Sequence, residues 1–387
     1  MRWLLAALVL LAGCQRAPVP LAHEAYLWQR LWTPAVARAM DDAPVGGWRV
    51  LALQVVGDQL RPAAPDLAVL AARAAPVRLV VRIEGSRLPI AVEALTQALA
   101  PLLTRWQAAG VHLVGIEIDH DCASAALADY AHWLVELRGH LPGALPLSIT
   151  ALPSWLDSPA LAEVLAAVDH SVLQVHAVQR PQQGLFDSER ALDWIRAWEQ
   201  RSPRPYWVAL PAYGVRVRTD AAGALLGVDA EGALDRTGPA GVELRADPLA
   251  LAHLLAALAA DPPQRLRGFL WFRLPLPGDR RTLSSASWRA LVEGQPLRAD
   301  WRVRSRAQTQ GSVDLWLHNA GNLDAPPPPV ELPVHCSYAD ALPPYRLRAG
   351  TPLVLQPDAA AWLRSGRQLQ IGWARCAAAL PSEWTLP

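Results

Sequence analysis

From Ala25 to Val292 the chain repeats one unit: an apolar run of strand length, a polar turn, then a stretch with helical spacing of apolar positions. The apolar runs are AYLWQRLW (25–32), WRVLALQVVG (48–57), VRLVVRIEG (77–85), HLVGIEIDHD (112–121), LPLSITALPSW (145–155), SVLQVHAVQ (171–179), PYWVALPAYG (205–214) and RGFLWFRLP (267–275). Helices are predicted between them, among others over Ala91–Ala109, from Ser124 onward, over Ser158–Val168, Asp187–Glu199 and Pro248–Ala260, and last over Ser284–Val292. Eight strands alternating with helices predict an α/β fold, a closed (β/α)8 TIM barrel over 22–295, because crossover helices cover the outside and closure removes the sheet edges. An open doubly wound sheet is the competing arrangement. Residues 215–246 break the rhythm with glycine-punctuated, hairpin-like segments and read as an insertion after the seventh strand. From Leu297 strand-like pieces replace helices, separated by AGN and PPPP, so 296–387 is expected to form a small all-β, sandwich-like C-terminal domain.

The fourth run carries the most chemistry. In VGIEIDHD (114–121) apolar and polar residues alternate with the period of a strand, which puts Glu117, Asp119 and Asp121 on one face and Ile116, Ile118 and His120 on the other. Three carboxylates at successive heights inside a covered barrel are costly unless paired, hydrogen-bonded or used. Asp121 is also placed to cap the helix that follows; Asp119 lies too deep for that. His120 points away from the acids, so the D-H-D run does not converge on a metal ion.

Composition narrows the choices. The net charge is +1 and arginine is scattered, which leaves no concentrated basic face for nucleic acid. The chain contains no lysine, which excludes Schiff-base, pyridoxal-phosphate, P-loop and protein-kinase chemistry. GxSxG, HExxH, CxxC and GxGxxG are absent, and no cofactor is expected.

The first residues read as an export signal. Arg2 precedes an apolar run from Trp3 to Leu11, too short to span a bilayer, followed by Leu11-Ala12-Gly13-Cys14. LAGC resembles the lipobox of bacterial lipoproteins. The resemblance implies that 1–13 is a signal peptide, that Cys14 is lipidated and that 14–21 is a linker. Gln15 after the cysteine resembles outer-membrane sorting, so the expected place is the bacterial cell envelope, lipid-anchored at the outer membrane and facing the periplasm. In an oxidising compartment Cys336 and Cys376 are free to pair as a disulfide. Cys122, at a strand–helix junction, reads as a buried thiol.

The working face of such a barrel is at the carboxyl ends of its strands. The polar and aromatic residues expected there are Trp28 or Gln29, Gln54, Glu84, the strand-four acids, Thr150, Trp155, Gln174, His176, Tyr213, Trp271 and Arg273. Aromatic faces stack on sugars and paired carboxylates do glycosidic acid–base work.

On these residues the chain resembles family-18 (chitinase-like) glycoside hydrolases. VGIEIDHD is similar to their DxxDxDxE signature, LPAYG (210–214) to their PxYG stretch, and FLWF (269–272) sits where their strand-eight tryptophan lies. The resemblance implies that Asp121 is the acid that protonates the glycosidic oxygen and that Asp119 orients the substrate. It also implies that His176 and Tyr213 hydrogen-bond the sugar and that Trp271 stacks beneath it. The departures are specific: Val114 and Glu117 replace aspartates of the signature, Asp121 is one methylene shorter than its glutamate, His176 stands for a tyrosine, and Ala177 replaces the strand-six aspartate. The whole chain, with SITALPSWL, VDHSVLQVHAVQR and the lipobox, resembles a bacterial lipoprotein family, Domain of Unknown Function 3142. Two functions follow: a hydrolase of a bacterial polysaccharide with Glu117, Asp119 and Asp121 as its acids, or a catalytically silent glycan-binding or envelope-assembly lipoprotein. The shortened acid favours binding and the retained Asp119 favours chemistry.

Overall fold

The structure, a computed structural model, describes residues 21–176, 184–220, 225–229, 241–308, 311–348 and 350–386. Cys14 and Ala177 lie outside the described residues.

Eight parallel strands form the centre: β1 (Ala22–Leu27), β2 (Trp48–Val56), β3 (Val77–Ile83), β4 (Leu113–His120), β5 (Leu147–Ala151), β6 (His170–Gln174), β7 (Tyr206–Pro211) and β8 (Leu266–Phe272). Each pairs with the next, and β8 returns to β1, so the sheet closes. The helices between and after them are α1 (Pro34–Asp41), α2 (Leu67–Ala71), α3 (Val92–Ala108), α4 (Leu127–His140), α5 (Leu161–Ala166), α6 (Ser188–Arg201), α7 (Pro248–Ala260) and α8 (Ser285–Val292). This is the (β/α)8 barrel that the alternation predicts. At its closure, β8 crosses so near β1 that a Cβ on Gly268 would lie 2.1 Å from the Ala22 carbonyl oxygen, so only glycine fits.

The apolar rows of the strands face two ways. Outward residues such as Ile116, Ile118 and Ile149 pack with Leu134, Leu137 and Trp106 of the helices in the main core. Inward residues form a smaller core of Tyr26, Leu51, Val80, Val172, Ala209 and Leu270 inside the barrel. Three helices start on acidic caps: Asp66 accepts from the Val69 amide, Asp187 from that of Arg190 and Asp247 from that of Leu249.

Several boundaries differ from the sequence pattern. The first strand starts and ends earlier than 25–32, which leaves Trp28 just beyond its end. The fifth stops at Ala151, and Pro153–Trp155 turns as a 3-10 helix. A hairpin strand, Gln59–Pro62, folds back on β2. The insertion forms a three-stranded antiparallel sheet with Gly214–Thr219 between Leu225–Asp229 and Gly241–Arg245.

The C-terminal region holds two antiparallel sheets. Five strands lie in the order Cys336–Ala341, Gln368–Cys376, Val313–Asn319, Trp301–Ala307, Glu383–Thr385, and three in the order Val330–Glu331, Val354–Pro357, Tyr345–Arg348. Both contribute to one core, with Val303, Leu317 and Ile371 from the first and Val330 and Leu355 from the second. Cys336 and Cys376 face each other on paired strands and are joined by a disulfide. Asp324 accepts from the Ser284 amide at 2.7 Å and Arg364 donates to the Leu283 carbonyl at 2.8 Å, which ties this region to the start of α8.

Candidate functional site

Polar groups enter the barrel in layers. At the bottom Glu24 accepts from Arg49 at 3.1 Å and from Arg78 at 3.0 Å. One level up, Glu117 is fully buried and takes hydrogen bonds from Tyr26 at 2.6 Å and Ser148 at 3.2 Å, with a close ion pair to Arg49. Its carboxylate is satisfied inside the packed core and does not line the cavity above. The expected catalytic part for Glu117 is therefore corrected: it joins β4 to β1, β2 and β5.

Above it the barrel opens into a cavity of about 250 Å³. Asp119 and Asp121 of the β4 end share one wall with Arg82 of β3. The Arg82 guanidinium donates to Asp119 at 3.1 Å through Nη1 and to Asp121 at 2.7 Å through Nη2, and Thr150 donates to Asp119 at 2.8 Å. Trp28, Tyr213 and Phe272 supply aromatic walls; Gln174 and His176 of the β6 end complete the polar side. Val215 and Val228 from the insertion sheet, with Leu185, give an apolar rim.

Burial raises the Asp119 pKa above its ordinary value; Arg82 opposes that rise and Asp121 adds to it. Burial works against the Arg82 charge, yet the two carboxylates raise its pKa, so it stays a cation. His176 is pushed down to about 4 by burial and is neutral at pH 7; its Nδ1 lies 3.3 Å from the Tyr213 hydroxyl. Burial raises the Tyr213 pKa, so the phenol keeps its proton. Asp121 caps no helix: the 3-10 turn at Ser124–Ala126 begins at Ala123 without a side-chain cap, and the Asp121 carboxylate points inward onto Arg82.

Of the residues expected at the mouth, Trp28, Asp119, Asp121, Thr150, Gln174, His176 and Tyr213 converge on this cavity. Five others do not. Trp155 is fully buried, with its indole N–H bonded to the Cys122 carbonyl at 2.8 Å and its ring against Tyr130, because the chain turns at Pro153. Trp271 is fully buried on the outside of β8, its indole bonded to His23 at 2.9 Å and its ring beside Trp288. The inward parity on β8 runs Gly268, Leu270, Phe272, so Phe272 takes the place expected of Trp271. Glu84 follows the end of β3 and is exposed. Gln54 shares a register row with Arg82 and Asp119 but lies outside the cavity lining. Arg273 pairs with Asp279 at 2.6 Å instead. Among the described residues, no group of three or more His, Cys, Asp or Glu side chains gathers to hold a metal.

Sequence reasoning missed Arg82, Tyr26 and Phe272. The signal for Arg82 was present: VRLVVRIEG alternates Arg78, Val80, Arg82 on one face, and the face that carries Val80 is inward.

The protein is thus a (β/α)8 barrel with an acid- and aromatic-lined cavity at the carboxyl ends of its strands and an antiparallel β domain after it. Residues 73–277 match the family described as Domain of unknown function (DUF3142), more than half of the chain, and the chain belongs to that family. Residues 302–377 match Domain of unknown function (DUF8456). No curated protein matches. Similar solved structures include the spore cortex-lytic enzyme SleL of Bacillus cereus (14% identity, 71% of this chain and 74% of that chain, TM-score 0.47). The GH18 chitinase ChiB of Flavobacterium johnsoniae is another (13%, 70% and 94%, TM-score 0.47). A third is the xylanase and alpha-amylase inhibitor protein XAIP-II of Scadoxus multiflorus (12%, 72% and 99%, TM-score 0.44).

Proposed function

We propose that this protein is a lipid-anchored cell-envelope protein that binds a bacterial polysaccharide in the barrel mouth without cleaving it. The observation that carries the reading is the bridge from Arg82 to both carboxylates. A glycosidic acid must hold a proton to give away, and a guanidinium at 2.7 Å complements the ionised form of Asp121. Binding is well served. Trp28, Tyr213 and Phe272 offer ring faces, and Gln174, His176 and Asp121 offer polar edges in a volume that suits one sugar unit or a chain end. The lipobox at Cys14 supports placement in the envelope, at the outer membrane facing the periplasm.

One observation favours hydrolysis as a second reading: burial raises the Asp119 pKa beside Asp121, the direction an acid catalyst needs. Both readings are tested by incubating the mature protein with a panel of envelope glycans, measuring binding by calorimetry and products by mass spectrometry. Binding without products is expected. Products released by the wild type and lost in Asp121→Asn would establish the hydrolase instead, and a panel with no binder would remove the glycan reading.

A further inference from the structure

A second concavity lies on the outside of the barrel, between α7 and α8, with a volume of about 780 Å³. Its walls are apolar. Helix α7, PLALAHLLAALAA, carries one titratable residue, His253, in thirteen positions. One side of it, with Leu251, Leu254 and Leu258, is buried on the barrel. Another side, with Ala252, Leu255 and Ala256, faces the groove, and Leu249 at its mouth is 53% exposed. A surface helix apolar on more than its core-facing side has an unfilled partner. The floor is Phe269 with His23, whose pKa burial lowers to about 4, so no charge sits there.

We propose that this groove seats an acyl chain of the lipid carried on Cys14; the proposal rests on the anchor reading above. Leu21 lines the groove, and Cys14 stands seven residues before it. Seven residues reach at most ~25 Å, which keeps the lipid within range of the groove mouth. A methylene fills about the volume of a water molecule, ~30 Å³, so a sixteen-carbon chain needs ~480 Å³ and fits the space. The groove thus shelters part of the anchor against the protein's own wall.

The test is photo-crosslinking of the full chain in the membranes of the producing bacterium. Benzoylphenylalanine replaces Ala256, and in a control it replaces Val135, a 61% exposed residue of α4 on the opposite side of the barrel. The expected result is a crosslink from position 256 to the peptide bearing lipidated Cys14, and none from position 135. Intact mass separates the two ways of failing. A lipidated Cys14 with no crosslink at 256, or with crosslinks to bulk phospholipid alone, overturns the groove proposal and leaves the anchor standing. An unmodified Cys14 overturns both.

Discussion

Nη2 of Arg82 lies 2.7 Å from Oδ2 of Asp121, while Nη1 of the same guanidinium reaches Asp119 at 3.1 Å. One cation from β3 therefore holds together two carboxylates that period-two spacing puts on the same face of β4. Removing it leaves two like charges beside each other in a confined space. Arg82→Met is expected to cost about 2 kcal/mol at pH 7, less than for a fully buried pair because the site is partly open to water. The cost should be smaller at pH 5 than at pH 7, because burial raises the Asp119 pKa and acid favours its neutral form. Urea unfolding at both pH values measures it, and equal losses at the two would contradict the bridge.

Phe272 and Trp271 are neighbours with opposite duties. Phe272→Ala should lower affinity for whichever glycan binds by about tenfold, the scale of one lost aromatic contact, and also cost about 2–3 kcal/mol of stability, since its ring packs on Tyr26, Trp28, His176 and Tyr213. Trp271→Phe should leave affinity unchanged, since its ring lies between the barrel and Trp288 and its N–H is bonded to His23. It is expected to destabilise by about 1–2 kcal/mol through the lost hydrogen bond and packing volume. Paired calorimetry and thermal melts on the two variants check the assignment.

Acid should destabilise the fold through its buried histidines. His176 is depressed from 6.5 to about 4, His23 to about 4 and His170 to about 3, in each case chiefly by burial. Above pH 6.5 these rings are neutral in both folded and unfolded chains. As pH falls from 6.5 toward 4, the unfolded chain takes the protons first and stability is lost. His176 alone accounts for about 3 kcal/mol of that loss. Asp119 works in the opposite sense: its raised pKa favours the fold below the ordinary carboxylate pKa and loses that effect as pH rises through the native value. His176→Gln should flatten the stability profile between pH 6.5 and 4 without abolishing its slope. An unchanged slope in urea titrations would show that this ring already titrates in the native state.

The Cys336–Cys376 disulfide closes a loop with a sequence separation of 40 in the C-terminal region. Removing both cysteines as Cys336→Ala with Cys376→Ala should cost that region roughly 3–4 kcal/mol. Two-step unfolding, with the C-terminal transition shifted and the barrel transition kept, is the expected calorimetric result. A shift of both by the same amount would mean that the two regions unfold as one unit.

Much of the fold is written in local pattern. The alternation of apolar runs and helical stretches specifies eight strands and the helices that cover them, because burial on both sides of a parallel sheet leaves few other arrangements. The same period-two rule brought Asp119, Asp121, Gln174 and Tyr213 to the mouth. It failed where a one-residue change of parity or a turn intervenes: at Trp271, which faces α8 while Phe272 faces in, and at Trp155, which a turn at Pro153 carries into the core. Long-range pairing was beyond it altogether. Glu117 looks on its strand like the acids above it, yet Arg49, Tyr26 and Ser148, 68, 91 and 31 residues away, make it part of the core. Arg82, 39 residues before Asp121, turns an expected acid into half of an ion pair. Sequence spacing fixes which face of its own strand a side chain takes; barrel closure decides which charges meet there, and that meeting determines whether a carboxyl gives up a proton or holds a guanidinium.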